Sequence, residues 1–177
     1  LNIKLLTRQG SAAFAEVDMM GFTPNATVTN AIDEQTTVLA IGNGQDLDVV
    51  KLDTYAYLDN EIVAVKAINL VAGTVTVDRG VLDTVPAPHP ASARIWFADA
   101  FEALVTEQYL SGESLQVKML PATGLGRLAE SAAPADSYTF AGRMIRPYPP
   151  GNVKVNNVMW PTTILGQIAL TWAHRDR

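Results

Sequence analysis

Tyr57-Leu58-Asp59-Asn60-Glu61-Ile62-Val63-Ala64-Val65, Thr74-Val75-Thr76-Val77-Asp78-Arg79-Gly80, Ala87-Pro88-His89-Pro90-Ala91 and Arg94-Ile95-Trp96-Phe97 follow one another along the chain and decide its fold. They read as three consecutive short strands, the last two joined by a proline-rich loop. Val75 and Val77 alternate with Thr74, Thr76 and Asp78, which is the period of a half-buried strand. Asp59-Asn60 can turn between residues 54–58 and 61–68, and Val71-Ala72-Gly73 can turn into residues 74–79. The result is an antiparallel meander. Arg79-Gly80 reads as a strand exit that needs a backbone conformation favouring glycine. Pro86, Pro88 and Pro90 rule out a central strand between them, because proline donates no ladder hydrogen bond.

The same period recurs on either side. Residues 36–41 are β-branched and apolar, and Gly42-Asn43-Gly44 offers a turn after them. Leu115, Val117 and Met119 alternate with Ser114, Gln116 and Lys118. Tyr138 and Phe140 flank Thr139, while Ile168, Leu170 and Trp172 alternate with Ala169 and Thr171. Asn156-Asn157 suits a primed hairpin turn between residues 153–155 and 158–160. Helix is scarce. The best stretch is residues 98–110, with Phe101, Leu104 and Val105 at helical spacing; residues 128–133 suit a short turn, and residues 11–20 have a poor helical period.

The expected fold is therefore all-β: two small antiparallel β units, barrel- or sandwich-like, joined by a short helix and proline-rich loops. The expected division is an N-terminal segment of unassigned role over 1–35, a small β-barrel-like domain over 36–112, and a second β domain over 113–177.

With 177 residues the chain is long enough for a real core. A hydrophobic content of 48% fits a folded protein rather than a disordered tail. The net charge of −5 argues against nucleic-acid binding, which needs a basic face to displace counterions, and against an anionic membrane surface. With no cysteine there are no disulfides, thiolate zinc sites or cysteine nucleophiles. No apolar run reaches the roughly 20 residues of a membrane helix, and no signal-peptide pattern is present at the N-terminus. The chain opens on Leu1 rather than Met, and residues 168–177 begin another alternating strand, so a piece of a longer protein is expected.

Few residues suggest chemistry. Asp46, Asp48, Asp53, Asp59, Glu61, Asp78 and Asp83 gather in one region. Asp46-x-Asp48 starts like a calcium loop, but Lys51 stands where its glycine belongs. Solvated turns and strand edges account for these acids better, and no metal or other cofactor is expected. His89 and His174 are too few for a zinc site. His89, between two prolines, is expected to pack or hydrogen-bond locally. No G-x-S-x-G elbow exists. Gly42-Asn43-Gly44 and Gly124-Leu125-Gly126 lack the third glycine and the βαβ setting of a nucleotide site. Glu102 and Glu107 sit about 140° apart round a helix, which makes a poor catalytic pair. Asn25-Ala26-Thr27 is a glycosylation sequon with no secretory signal beside it. Among the aromatics, Tyr148, Trp160 and Trp96 are the interaction candidates, with Tyr148 set among prolines where a tyrosine suits an interface.

Two groups of residues carry a family resemblance. The first is an acidic turn before Glu61-Ile62-Val63, the strand 65–68, Gly73, Thr76-Val77-Asp78-Arg79-Gly80, the Thr/Ala/His loop 84–91 and the closing aromatic strand 94–97. The second is Met119-Leu120-Pro121, Thr123-Gly124-x-Gly126, the string Arg146-Pro147-Tyr148-Pro149-Pro150-Gly151-Asn152, and Trp172-x-His174-Arg175-x-Arg177. Together they resemble the tail-tip (tail hub or host-specificity-like) proteins of long-tailed phages and prophages, over about two thirds of the chain. The resemblance implies a virion structural protein at the distal end of the tail, made in the bacterial cytoplasm and assembling as a homotrimer with other tail proteins. It implies host contact through a surface glycan or protein, no catalytic residues, no nucleic-acid binding and no membrane insertion. The alternatives are a carbohydrate-binding module, in which Trp160, Tyr148 and Trp96 would stack on sugars, and a polysaccharide hydrolase, which would need two acids facing a groove.

Overall fold

A computed structural model describes residues 2–98 and 107–174. Its strands are β1 (Asn2–Gln9), β2 (Ala15–Met20), β3 (Asn25–Val28), β4 (Val38–Gln45), β5 (Tyr55–Leu58), β6 (Glu61–Asn69), β7 (Thr74–Asp78) and β8 (Arg94–Ala98). There follow β9 (Ser114–Thr123), β10 (Gly126–Arg127), β11 (Asp136–Thr139), β12 (Gly151–Val155) and β13 (Leu170–Ala173). Three short 3-10 turns, at Leu47–Val49, Glu130–Ala132 and Arg143–Ile145, are the helical structure among the described residues. The protein is all-β, as the alternation implies.

β3, β4, β7, β6, β5 and β8 close into an antiparallel barrel. The meander read from the sequence forms its centre: Leu58 opposes Glu61 across the Asp59-Asn60 turn, and Asn69 opposes Thr74 across the next. Inward residues come from the predicted faces. Val75, Val63, Val65, Leu58, Ile95 and Phe97 are wholly buried and Val77 nearly so. Outward positions on the same strands, Tyr55, Tyr57, Arg94 and Trp96, stay exposed.

β9 pairs with β1 over its length, β1 pairs with β2, and β10 and β11 pair with β9 to complete a second sheet. Its buried cluster is small: Leu6, Leu120 and Ala133, with Phe14 packed against them. The cations of Arg8 and Lys118 lie 4.5 and 4.7 Å from the Phe14 ring centre. β12 and β13 form a separate two-stranded ribbon.

Four expectations need correction. First, strand pairing cuts the chain otherwise than at 35 and 112. β1 and β2 belong with β9, whereas β3 is a barrel stave between β4 and β8. The N-terminal strand pairs locally with β2, but its other partner, β9, lies more than a hundred residues away and nothing local in the sequence signals that pairing. Second, the helical pattern over 11–20 gives way to β2, held by its ladder to β1. Third, Gly42-Asn43-Gly44 does not end its strand. β4 runs through to Gln45, and the register against β3 shifts there, so the left-handed Asn43 (φ 51°) serves a bulge rather than a turn. Fourth, Asn156-Asn157 turns as expected, but it brings together only Val155 and Val158; β12 takes β13 as its ladder partner. The helix expected over 98–110 falls largely on residues 99–106, outside the described residues. Ala98 closes β8, and residues 107–110 are irregular.

Candidate functional site

Strand ends and strand starts alternate around one side of the barrel. β3, β5 and β7 finish there, and β4, β6 and β8 begin there. Three connections cover that end: residues 29–37, the Asp59-Asn60 turn, and the long loop 79–93. A buried polar network joins them.

Its centre is Glu61, the first residue of β6, whose side chain is 1% exposed. Oε1 accepts from Arg79 Nε at 2.8 Å and from the Gly80 amide at 2.7 Å. Oε2 accepts from Arg79 Nη2 at 2.8 Å and the Ala87 amide at 3.1 Å, and His89 Nε2 lies 2.9 Å away. Arg79 completes its own set: Nη1 donates to the carbonyls of Asp33 and Thr36, and Nη2 also to that of Ala87. All five guanidinium N–H groups thus have an acceptor. A buried ion pair is tolerable only when its remaining hydrogen-bonding capacity is filled in this way. Burial pushes the Glu61 carboxyl up. The hydrogen bonds from Arg79, His89 and the Ala87 amide, with the Arg79 charge, outweigh that and hold it below the ordinary carboxylate range.

His89 extends the network outward. Its ring is 3% exposed, with Nδ1 2.8 Å from Asp59 Oδ2. Both ring nitrogens thus face a carboxylate oxygen, Asp59 on one side and Glu61 on the other. The His89 backbone is pinned as well, exchanging two hydrogen bonds with Ile32. The expectation that His89 packs or hydrogen-bonds locally is corrected: its partners are distant in sequence, Asp59 and Glu61 through the ring and Ile32 through the backbone.

Beside this plug lies a cleft of about 620 Å³, lined among others by Tyr57, Asp59, Asn60, Asp83, Val85, His89 and Arg143. Arg143, from the 3-10 turn after β11, forms a two-pronged contact with Asp83 of the barrel loop, Nη2 to Oδ1 being 2.7 Å. The wall is therefore shared between the barrel and the segment that follows the second sheet.

The three aromatic candidates sit on separate elements. Trp96 is on the outer face of β8, directly opposite Tyr57 of β5, with the Arg94 guanidinium 5.3 Å from its ring centre. Trp160 follows the Asn156-Asn157 turn, 46% exposed at a left-handed φ of 54°. Tyr148 is half-buried in the proline connector. Tyr57, weighed among the aromatics but not singled out from the sequence, is exposed and in cross-strand register with Trp96.

Asp59, Glu61 and Asp83 meet at the cleft, and Glu61 is buried, against the expectation of a solvated strand edge; the other acidic residues scatter. Among the described residues no three His, Asp or Glu side chains gather as metal ligands would. Asp53 pairs with Lys66, and Asp33 caps the turn at Gln35 and Thr36. Asp46 and Asp48 lie exposed at the turn Leu47–Val49. Glu107 is exposed, and Glu102 is outside the described residues. Asn25 of the sequon lies in barrel strand β3, donating to the Thr23 carbonyl and accepting from Arg94. No helix among the described residues is long and apolar enough to cross a membrane.

Neither a family model nor a curated protein matches this chain.

Proposed function

We propose that this chain is a structural part of the distal tail of a phage or prophage, resident in the virion and acting through assembly with further copies of itself and with other tail proteins. The observation that carries the assembly part is the C-terminal ribbon. Nine large apolar side chains between residues 151 and 173 are 41–83% exposed, with Leu165, Ile168, Leu170 and Trp172 among them. Exposed apolar side chains concentrated in one short segment mark an interaction surface. A two-stranded ribbon is also marginal alone in water. Lys154 is the sole charged residue from 151 to 173, so like-charged repulsion does not oppose contact between copies. The identity as a tail component rests on the sequence resemblance, above all on Arg146-Pro147-Tyr148-Pro149-Pro150-Gly151-Asn152.

A non-enzymatic role is consistent with how the buried charges are used. Glu61, Arg79 and His89 are tied to one another and to backbone groups, as structural ion pairs are. The test is solution mass by light scattering over a concentration series. The reading expects a trimer that Trp172→Lys converts to monomer with unchanged thermal melting. A strict monomer at every concentration would count against self-assembly of this chain.

A further inference from the structure

We propose that the cleft between the Asp59-Asn60 turn, the loop at Asp83–Val85 and Arg143 is a binding site for an uncharged oligosaccharide, with Tyr57 as its stacking platform. This stands on the cleft and does not depend on the assembly reading.

Four observations converge. The cleft is a concavity of about 620 Å³, within the roughly 300–1,000 Å³ of small-molecule sites, and it lies where two parts of the protein meet, a favoured place for them. Its floor is rigid. His89 and Glu61 are locked in the network described above, and Thr84 is tied to Ile62 by hydrogen bonds in both directions. Its mouth is accessible: Tyr57 is 43% exposed, and the side chains of Asp59 and Arg143 are 47% and 48% exposed. The polar groups there retain capacity. Asp59 binds His89 through Oδ2 alone, and the exposed Asn60 carboxamide has no protein partner among the described residues.

The chemistry at the mouth selects the ligand class. Two carboxylates and one guanidinium face it, and Arg143 is already forked to Asp83, so no surplus cation remains for a phosphate, sulfate or uronate. Asp59 Oδ1 accepts, while Asn60 both donates and accepts, which matches hydroxyl groups that do both. Tyr57 offers a flat apolar face with a polar tip. Its neighbour Trp96, opposite it across β5 and β8, extends that face along the outside of the barrel. A sugar ring stacked on Tyr57 lies at the mouth of the cleft, with Trp96 beside it under the Arg94 guanidinium.

The experiment is a glycan array probed with the whole chain, followed by titration calorimetry with the best neutral oligosaccharide and with sialyllactose as an acidic comparison. The expected result is saturable binding of the neutral ligand, weakened at least about tenfold, or about 1.4 kcal/mol, by Tyr57→Ala and by Asn60→Ala. Tyr57→Trp should restore it, and Trp160→Ala should leave it unchanged. Thermal melting of each variant separates loss of ligand from loss of fold. The proposal is overturned if no array glycan binds, if sialyllactose binds more tightly than the neutral ligand, or if binding survives both alanine changes in folded protein.

Discussion

Gly80 answers to three constraints at once. Its φ is +55°, a Cβ placed there would lie 2.3 Å from Pro86 Cδ, and its amide donates to Glu61. Valine would add a left-handed strain of roughly 1–2 kcal/mol and overpacking of about 1–3 kcal/mol. Gly80→Val should therefore cost about 3 kcal/mol or more, read as a fall in the urea midpoint; an unchanged midpoint would refute the geometry. Glu61 yields a pH prediction with a definite sign. Its folded pKa lies below the ordinary value of 4.5. Its stabilisation is thus complete above that value and is lost as pH falls through the folded one. Thermal stability should fall steeply on acidification below about pH 4.5, and Glu61→Gln, already destabilised at neutral pH, should show a shallower fall. A parallel profile for the two proteins would show that Glu61 does not carry the acid sensitivity. Each member of this network was visible in the sequence as strand punctuation. Their meeting was not, since Arg79 and His89 reach Glu61 across 18 and 28 residues, and only barrel closure brings those loops together.

Among the elements, β4 separates what local chemistry decides from what pairing decides. Asn43 accepts positive φ whether it serves a turn or a bulge, so Gly42-Asn43-Gly44 identifies the backbone conformation without saying which. The ladders to β3 and β7 carry the strand onward. Asn43 also donates from Nδ2 to Thr27 Oγ1 at 3.1 Å, fastening the bulge to β3. Asn43→Gly should cost less than about 1 kcal/mol, losing one exposed hydrogen bond while keeping the permitted backbone. Asn43→Val should cost about 2 kcal/mol through left-handed strain. Equal losses in denaturant melts would mean that the hydrogen bond rather than the backbone conformation sets the energy. β13 makes the complementary case. Its alternation was read correctly as a strand, yet all four of its residues are exposed. Period-2 patterning identifies a strand with two unlike faces, but it does not say that the apolar face is covered within the same chain.

At the scale of the molecule, stability is unevenly distributed. The barrel has no free edge, and thirteen buried apolar residues fill it. The second sheet buries a cluster of three and leaves β2, β10 and β11 as edges. Its residues also illustrate where sequence reading loses its hold. Leu115 and Leu120 of β9 are both buried although five apart, so the strand changes its inward face along its length, and Met119 of the predicted face is 46% exposed. A protein whose barrel and second sheet have such unequal cores should open in parts rather than all at once. Native-state hydrogen exchange should find the slowest amides in the barrel strands, β6 and β7 among them, intermediate ones in β1 and β9, and the fastest in β10, β11 and β13. The Arg143–Asp83 contact allows this order to be tested by a single surface change. Asp83→Ala should hasten exchange around Arg143–Ile145 while leaving β6 and β7 as they were, because their protection comes from ladders and apolar burial inside the barrel. If Asp83→Ala instead lowered protection throughout β6 and β7, the barrel and the segment after the second sheet would have to unfold as one cooperative unit, and the apolar interior would not by itself account for the stability of the closed sheet.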